Sequence, residues 1–292
     1  MKSQHPHHHT SVVQRQRSAR KSQRLMRRVL PFVASLFLAT PLAGPVARSL
    51  ANGHPPKLKA KVSLAPLSRL ESTARDLYTS LGAEQQGLRF EVFQKALTGY
   101  LNLKQAGRLA ENQDRLTVVD FDLPSTEKRL WVLDLSAHKV LYHTLVAHGH
   151  NSGENEASSF SNTNESNMSS LGFYVTGHEY EGKHGHSLRL NGMDEGFNTN
   201  ALARSVVMHG ADYVSEAFIK QNGRLGRSLG CPALPLDSYA QIIDLVKGGS
   251  CLFLNKSNAG YASKYLDSES ALTALNISSP AKVKIKLKSA RS

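Results

Sequence analysis

The feature that most constrains the fold is a series of short apolar runs that begins at Leu116. The runs are LTVVDFDLP, RLWVLDLSAHKVLYHTLVAHG, LGFYVTGHEY, HSLRLNG, RSVVMHG and SCLFLNK. Clusters of Gly, Asn, Ser or Pro separate them, and SAHK inside the second run predicts a hairpin turn. The pattern predicts a mostly β (α+β) catalytic domain over residues 116–257, with about six to eight strands in a β-sandwich or barrel.

Helical periodicity precedes the strands. Between Glu71 and Gln105 apolar residues recur at helical spacing, with a break between Gly82 and Gly87. The second segment has one predicted buried face, formed by Phe90, Phe93, Leu97, Tyr100 and Leu101. These observations predict a small N-terminal helical lobe at 71–115, preceded by a linker at 52–70.

One helix and one long polar connection are predicted later in the chain. The segment LDSYAQIIDLVKGG predicts a helix with Asp237 as its N-cap and Gly248 as its left-handed stop. Residues 151–170 are a polar string of Asn, Ser and Glu, and a connection of this length is typically functional or disordered. Residues 258–292 form a C-terminal extension, whose last part, AKVKIKLKSARS, indicates an edge strand or a solvated tail.

Residues 1–51 have the pattern of a secretory signal peptide. A basic stretch without acidic residues precedes the apolar run VLPFVASLFLATPLAGPVA, and Ser49-Leu50-Ala51 fits the small-x-small rule for cleavage. An uncleaved membrane anchor is the alternative, because the run approaches the length of a membrane span. After cleavage we expect no stable membrane span. The mature protein is then expected in the periplasm or elsewhere in the cell envelope.

Most of the positive charge belongs to this leader. The full chain has a net charge of +13, and residues 1–51 contain 9 of its 36 Lys and Arg but none of its 23 Asp and Glu. The rest therefore carries 27 basic and 23 acidic residues, a net charge of +4. This balance predicts no nucleic-acid partner. The two cysteines, Cys231 and Cys251, allow at most one disulfide.

The residues that most suggest chemistry are Cys231 and His209. A nucleophilic cysteine commonly has a histidine as its base, and the run RSVVMHG contains His209 twenty-two residues before the cysteine. Pro232 favours an extended backbone at Cys231, and Gly230 permits a sharp turn before it. Because proline has no N–H, an oxyanion hole would use the amides of Gly230 and Cys231 or donors from elsewhere. Ser228 offers a hydroxyl at the same rim.

These segments resemble a known family. VVMHGADYV followed by GRLGRSLGCPALP resembles the active-site signature of the peptidoglycan L,D-transpeptidases, in which an H-G element precedes an S-H-G-C element. The resemblance extends over residues 116–255 and is in particular to the murein L,D-transpeptidase catalytic domain subgroup. Three further segments agree with it, VAHGHNSGENEASSFSN, SSLGFYVTGHEYEGKHGHSLRLNG and GFNTNALARSVVMHGADYV.

The resemblance implies a cysteine-dependent transferase of cell-wall biogenesis, without a metal or other cofactor, whose partners are peptidoglycan stem peptides. It makes Cys231 the nucleophile and His209 the general base. The oxyanion or supporting residues would be Gly230, Ser228 and Gly210. Cys231 would attack the diaminopimelate carbonyl of a tetrapeptide donor and release D-Ala, and an amine of a second stem would then form a 3→3 crosslink. The sequence departs from the family at Leu229, which replaces the S-H-G-C histidine, and at Ala233, where a polar or basic residue is usual.

Four predicted substrate contacts complete the site: Arg227, Arg224, His148 and His184. The arginines suit the carboxylates of an anionic stem peptide, although loop solubility would also explain them.

Several alternatives stay open at this point. If water resolves the thioester, the same site is an L,D-carboxypeptidase. The H-x-H pairs His148/His150 and His184/His186 allow a zinc-dependent wall peptidase. A non-catalytic wall-binding module would need no thiol. A disulfide between Cys231 and Cys251 would leave no free thiol at Cys231.

Overall fold

The structure is a computed structural model that describes residues 65–257 and 259–278. The predicted signal peptide at 1–51, the first part of the predicted linker at 52–64 and the alternating basic tail at 281–292 lie outside the described residues. Within the described ranges, no helix has the length and apolar composition needed to cross a membrane.

After the first two helices, more of the described residues lie in strands than in helices. The α-helices are Ala65–Leu81 (α1), Phe90–Gln105 (α2), Glu216–Asn222 (α3), Tyr239–Val246 (α4) and Ser268–Ser278 (α5). The strands are Arg115–Asp120 (β1), Leu130–Asp134 (β2), Lys139–Thr144 (β3), Gly172–Gly182 (β4), Gly185–Gly192 (β5), Val207–Ala211 (β6), Ala233–Pro235 (β7) and Cys251–Asn255 (β8). They form one sheet in the order β3-β2-β1-β8-β4-β5-β6-β7, in which the β1–β8 and β6–β7 pairs are parallel.

The two edges of the sheet meet beyond the end of β3. Ala147 forms an antiparallel bridge with Ala233 of β7, and the Ala147 N–H donates to the Ala233 carbonyl at 2.9 Å. Gly149 forms a second bridge, with Ser228. The sheet therefore curls into a barrel-like form, and the predicted mostly β fold with an N-terminal helical lobe is confirmed.

Alternation along the central strands creates two hydrophobic cores, one on each side of the sheet. Trp131 and Phe253 belong to the core that includes residues of α1, α2 and α5. Val132 and Leu252 belong to the other core, which includes residues of α4. Burial of both faces of β2 and β8 explains why their sequences are continuous apolar runs.

The helical lobe begins earlier than predicted and contains a third helix. Helix α1 begins at Ala65, inside the segment suggested as a linker. The predicted face of α2 is buried except for Phe90, which is partly exposed. Helix α5, from the C-terminal extension, packs against α1 and α2. Asn102 of α2 donates to the carbonyls of Tyr265 and Asp267 at 2.7 and 2.8 Å, which fastens the chain just before α5.

Helix α4 confirms the predicted helix but corrects its first residue. The N-cap is Ser238, and Asp237 instead accepts a hydrogen bond from the Ser238 hydroxyl at 2.9 Å. Gly248 has the predicted left-handed backbone, with φ of 75°. The hairpin turn at SAHK is confirmed between β2 and β3. Strand β7 was not predicted, because only three residues pair and the last is a proline.

Candidate active site

Cys231 lies in the turn that leads into β7, beside the start of β6. Strands β6 and β7 are parallel with His209 opposite Ala233, so Cys231 lies at the level of Val207. The Val207 N–H donates to the Cys231 sulfur at 3.4 Å, and the thiol faces the Ser205 carbonyl oxygen at 3.8 Å. The structure therefore brings Cys231, just before β7, near the neighbouring strand β6 that carries His209, although no hydrogen bond joins their side chains among the described residues.

Alternation along β6 decides which side of the sheet His209 faces. Met208 is buried in the core that contains α4. Gly210 faces α4 as well, because a Cβ atom added there would lie 2.7 Å from the Tyr239 ring. His209 therefore faces away from this core. Glycine is required at position 210 because no larger residue fits beneath the Tyr239 ring. In this structure the contribution of Gly210 to the site is this packing.

The protonation of the His209 ring follows from its hydrogen bond. Nδ1 lies 2.9 Å from the Gly210 carbonyl oxygen, which can only accept, so Nδ1 carries the proton and Nε2 has the free lone pair. The residue is 2 % exposed, and burial lowers the pKa of His209 while the Gly210 carbonyl raises it. The ring is thus arranged to accept a proton at Nε2.

The thiol at rest is arranged as a neutral group. Burial raises the pKa of the Cys231 thiol, and the Val207 N–H and the Arg204 charge only partly oppose this effect. A thiol with a raised pKa attacks only after a base removes its proton. Deprotonation of this thiol therefore requires a base.

Ser228 stabilises the turn that carries Cys231. Its hydroxyl donates to the Cys231 carbonyl at 2.6 Å and accepts from the Gly230 N–H at 3.0 Å. The Gly230 amide, one of the two predicted oxyanion donors, is therefore occupied, and the Cys231 amide is the other. Gly230 has φ of 123°, and a Cβ atom there would lie 2.8 Å from the Met168 carbonyl oxygen, so only glycine fits.

Replacing Ser228 by alanine is expected to lower the free energy of unfolding by about 1–3 kcal/mol, because it leaves the Gly230 N–H and the Cys231 carbonyl without partners. Urea denaturation of the full chain measures the effect. The matched control is Ser80→Ala, which removes the hydroxyl of an exposed serine on α1. Equal stability losses in the two variants would contradict the role assigned to Ser228.

The polar connection at 151–170 is ordered against the turn that carries Cys231. The Ser169 hydroxyl accepts from the Gly149 N–H at 3.0 Å and donates to the Gly230 carbonyl at 3.3 Å. Arg204 holds the same segment through the carbonyls of Ser161 and Met168, at 2.7 and 2.6 Å. It also contacts the hydroxyls of Ser166 and Ser170. The connection thus forms one wall of the site.

Two residues of the site were missed by the sequence analysis. Arg204 holds the 151–170 connection, and its charge acts on the Cys231 thiol. Tyr213 packs on Gly226. Burial, and to a smaller extent the Cys231 thiol, raises the pKa of the Tyr213 phenol to about 12. Both lie inside the segments that carry the family resemblance, ALARSVVMHG and HGADYV. The signal for both residues in the sequence is a polar side chain close to one end of the β6 run.

The predicted substrate contacts Arg224 and Arg227 bind a protein carboxylate. Arg224 Nε lies 2.9 Å from Glu154 Oε2, and Arg227 Nη1 lies 2.7 Å from Glu154 Oε1. Arg227 also donates to the carbonyl oxygens of His150 and Gly153, at 3.2 and 2.9 Å. The two arginines fasten the connection at 151–170 to the segment before Cys231, and their charges are already paired.

His148 does not have the predicted place of a substrate contact. It is fully buried, its Nδ1 accepts from Arg129 Nη2 at 2.7 Å, and its Nε2 lies 3.3 Å from the Gly153 carbonyl. Burial, with the Arg129 charge, lowers the pKa of His148 to about 4. The ring is therefore a neutral structural group, and a substrate has no free nitrogen to contact.

His184, by contrast, lies at the candidate site. It is exposed in the turn between β4 and β5, and its ring stacks on the ring of His209. The ring centroids are 4.5 Å apart and the planes differ by 26°. The structure therefore joins His184 to the predicted base.

The two H-x-H pairs do not converge on a common point. The ring of His148 bonds Arg129 and that of His184 stacks on His209, while His186 bonds Glu179 at 2.9 Å. His186, Glu179 and Asp244 lie close enough together to hold a metal ion, but Lys247 Nζ already pairs with both carboxylates, at 2.8 and 2.9 Å. Lys247 would therefore compete with a metal ion for these two carboxylates.

Both cysteines are free thiols. Cys231 is partly exposed, whereas Cys251 is buried on β8. Strands β4, β5 and β6 lie between β8 and β7 in the sheet. The alternative disulfide is therefore not formed.

Comparison with known proteins relates this chain to one family. A sequence profile described as L,D-transpeptidase catalytic domain matches residues 84–255, which is more than half of the 292-residue chain. The matched region begins just before α2 and ends with β8. A search of curated proteins finds no match.

Several solved structures are similar at low identity. An L,D-transpeptidase from Mycobacterium smegmatis is 15 % identical over 49 % of this chain and 59 % of its own, with a TM-score of 0.32. The helical cell shape determining protein from Campylobacter jejuni is 14 % identical over 62 % of each chain, with a TM-score of 0.35. An L,D-transpeptidase from Stackebrandtia nassauensis is 15 % identical over 59 % of this chain and 68 % of its own, with a TM-score of 0.30.

Proposed function

This chain belongs to the L,D-transpeptidase catalytic domain family, and we propose that it is an exported enzyme that forms 3→3 crosslinks between peptidoglycan stem peptides. The observation that carries the proposal is the location of Cys231 in the turn before β7 and of His209 on the adjoining strand β6, with the proton of the histidine on Nδ1 and the lone pair on Nε2. A wall-binding module would not need this tautomer or a free thiol.

In the first half-reaction Cys231 is the nucleophile and His209 the general base. Nε2 of His209 takes the thiol proton, and the sulfur attacks the carbonyl of the L-centre of diaminopimelate in a tetrapeptide donor. The Cys231 amide donates to the oxyanion that develops. The protonated ring then delivers its proton to the amine of D-Ala, which leaves as the thioester forms.

In the second half-reaction the thioester passes its acyl group to an amine. The incoming amine of a second stem loses its proton to Nε2 of His209, and the thiol regains that proton as the amide bond forms. Water at the same position would give the L,D-carboxypeptidase product instead. Arg204 fastens the wall formed by residues 151–170, and an ordered wall beside Cys231 supports the crosslinking reaction over hydrolysis.

The signal-peptide pattern of residues 1–51 supports export to the periplasm or cell envelope, where the stem peptides are found. The thiol nucleophile also makes carbapenem acylation an expected reaction, because a β-lactam carbonyl can take the place of the donor carbonyl.

Product analysis tests the proposed reaction. Purified full chain incubated with tetrapeptide-bearing muropeptides is expected to release D-Ala and to form 3→3 dimers, which mass spectrometry with fragmentation identifies. His209→Gln is expected to lower the rate by about 100-fold or more, because it removes the base. Tripeptides without dimers would indicate the carboxypeptidase, and release of no D-Ala would contradict both reactions.

A further inference from the structure

The ring of His184 covers the proposed base. His184 is exposed in the β4–β5 turn, whereas His209 beneath it is 2 % exposed. Their ring centroids are 4.5 Å apart with a 26° angle between planes, which is a stacked arrangement. Stacked rings at this separation attract each other, so the contact restrains the His209 ring from one side.

The strand register carries His184 to this position. Strand β5 pairs with β6 through Ser187 opposite His209, and the β4–β5 hairpin closes through Gly182 opposite Gly185. Gly185 has φ of 71°, a left-handed backbone that favours glycine and turns the preceding residue back towards β6. The position of His184 is therefore built into the hairpin and does not depend on a flexible side chain alone.

Few charged groups lie around the two rings. Apart from burial, which has the largest effect, His184 is the group that lowers the pKa of His209. On the other sides, His209 lies opposite Ala233 of β7, and the Tyr239 ring of α4 packs against the adjoining Gly210. Among the described ion pairs, none joins a carboxylate to either ring. Lys183, in the β4–β5 turn beside His184, and Asp212, which follows β6, are exposed.

We propose that His184 is a positioning residue for the reaction: stacked on His209, it holds the ring of the base in place. The inference rests on the proposed role of His209 as general base. The imidazole of His184 also lowers the pKa of the His209 ring 4.5 Å away. His209 therefore stays unprotonated, and able to accept the thiol proton, at a pH where it would otherwise be charged.

The sign of the effect is testable in His184→Phe, which keeps an aromatic ring over His209 and removes the ionisable group. Without the His184 imidazole, which lowers the pKa of His209, the His209 ring binds its proton at higher pH. We expect its titration midpoint, measured by nitrogen-15 NMR of the histidine rings in the full chain, to rise by about half to one pH unit. The acid limb of the acylation rate is expected to move upward with it.

Two further variants complete the design. His184→Gln removes both the ring and the ionisable group. It is expected to raise the titration midpoint of His209, as His184→Phe does. It is also expected to lower the acylation rate constant, because the stacking restraint is lost. His178→Phe removes another exposed histidine, on β4, and is expected to leave the His209 midpoint unchanged.

An unchanged midpoint in both His184 variants would overturn the inference, as would an equal rise in His178→Phe. The titration needs no peptidoglycan substrate, so it separates this inference from the proposed function. If the midpoint rises but no muropeptide product forms, the coupling stands and the proposed reaction fails.

Discussion

Replacing Cys231 by alanine is expected to abolish the covalent carbapenem adduct and to reduce D-Ala release by about a thousandfold or more, because no other group replaces the lost nucleophile. Intact-protein mass spectrometry after incubation of the full chain with a carbapenem measures the adduct. Cys231 is the partly exposed thiol, just before β7, and β7 pairs with the strand that carries His209.

The matched control for this experiment is Cys251→Ala, which removes the second thiol. Cys251 is fully buried on β8, and burial raises the pKa of its thiol, so the native protein should form the adduct without it. An adduct that persists in Cys231→Ala would contradict the nucleophile assignment. An adduct lost only in Cys251→Ala would move that assignment to β8.

Replacing Arg129 by methionine is expected to destabilise the fold by about 3–5 kcal/mol, which would be the largest stability loss among these variants. The guanidinium is fully buried and donates to the carbonyls of Val146 and Leu123, at 3.0 and 2.8 Å, and to His148 Nδ1 at 2.7 Å. Methionine keeps most of the volume but leaves these acceptors unsatisfied in an interior that water does not reach.

The same substitution acts on the candidate site through the backbone. The His148 carbonyl accepts from the Ser228 N–H at 3.0 Å, and Ser228 holds the turn of Cys231. Urea denaturation of the full chain gives the stability loss. Arg75→Met is the control, because it breaks an exposed ion pair with Glu71 and should cost less than about 1 kcal/mol. Similar losses in the two variants would show that the buried contacts of Arg129 are not what stabilises this region.

Much of the fold could be predicted because its signals are local. The apolar runs from Leu116 onward became strands, since alternation and turn residues are properties of neighbouring positions. The break between Gly82 and Gly87 separates α1 from α2 for the same reason. Strand β7 escaped prediction because its three residues owe their pairing to β6 and Ala147, which are distant in sequence.

The same division applies to the site. The pattern H-G, then G-C-P, predicted Cys231 and His209, and the fold places Cys231 just before β7, which pairs with the strand of His209. His148 and His184, each the first histidine of an H-G-H pair, were both predicted to contact the substrate. The fold instead buried one ring against Arg129 and stacked the other on His209. Local sequence could not separate these outcomes, because the partners are supplied by other strands.

The sequence by itself determined the strand-rich character, the helical lobe, the family and the two residues proposed for catalysis, because each depends on residue types at short spacing. Only the tertiary structure decided which histidine is buried, which histidine stacks on the proposed base, and that Glu154 forms ion pairs with both arginines beside the site. Burial, hydrogen-bond partners and charge pairing are set by atoms that meet across the barrel-like sheet. Because these atoms belong to residues far apart along the chain, the local sequence pattern does not show which of them meet.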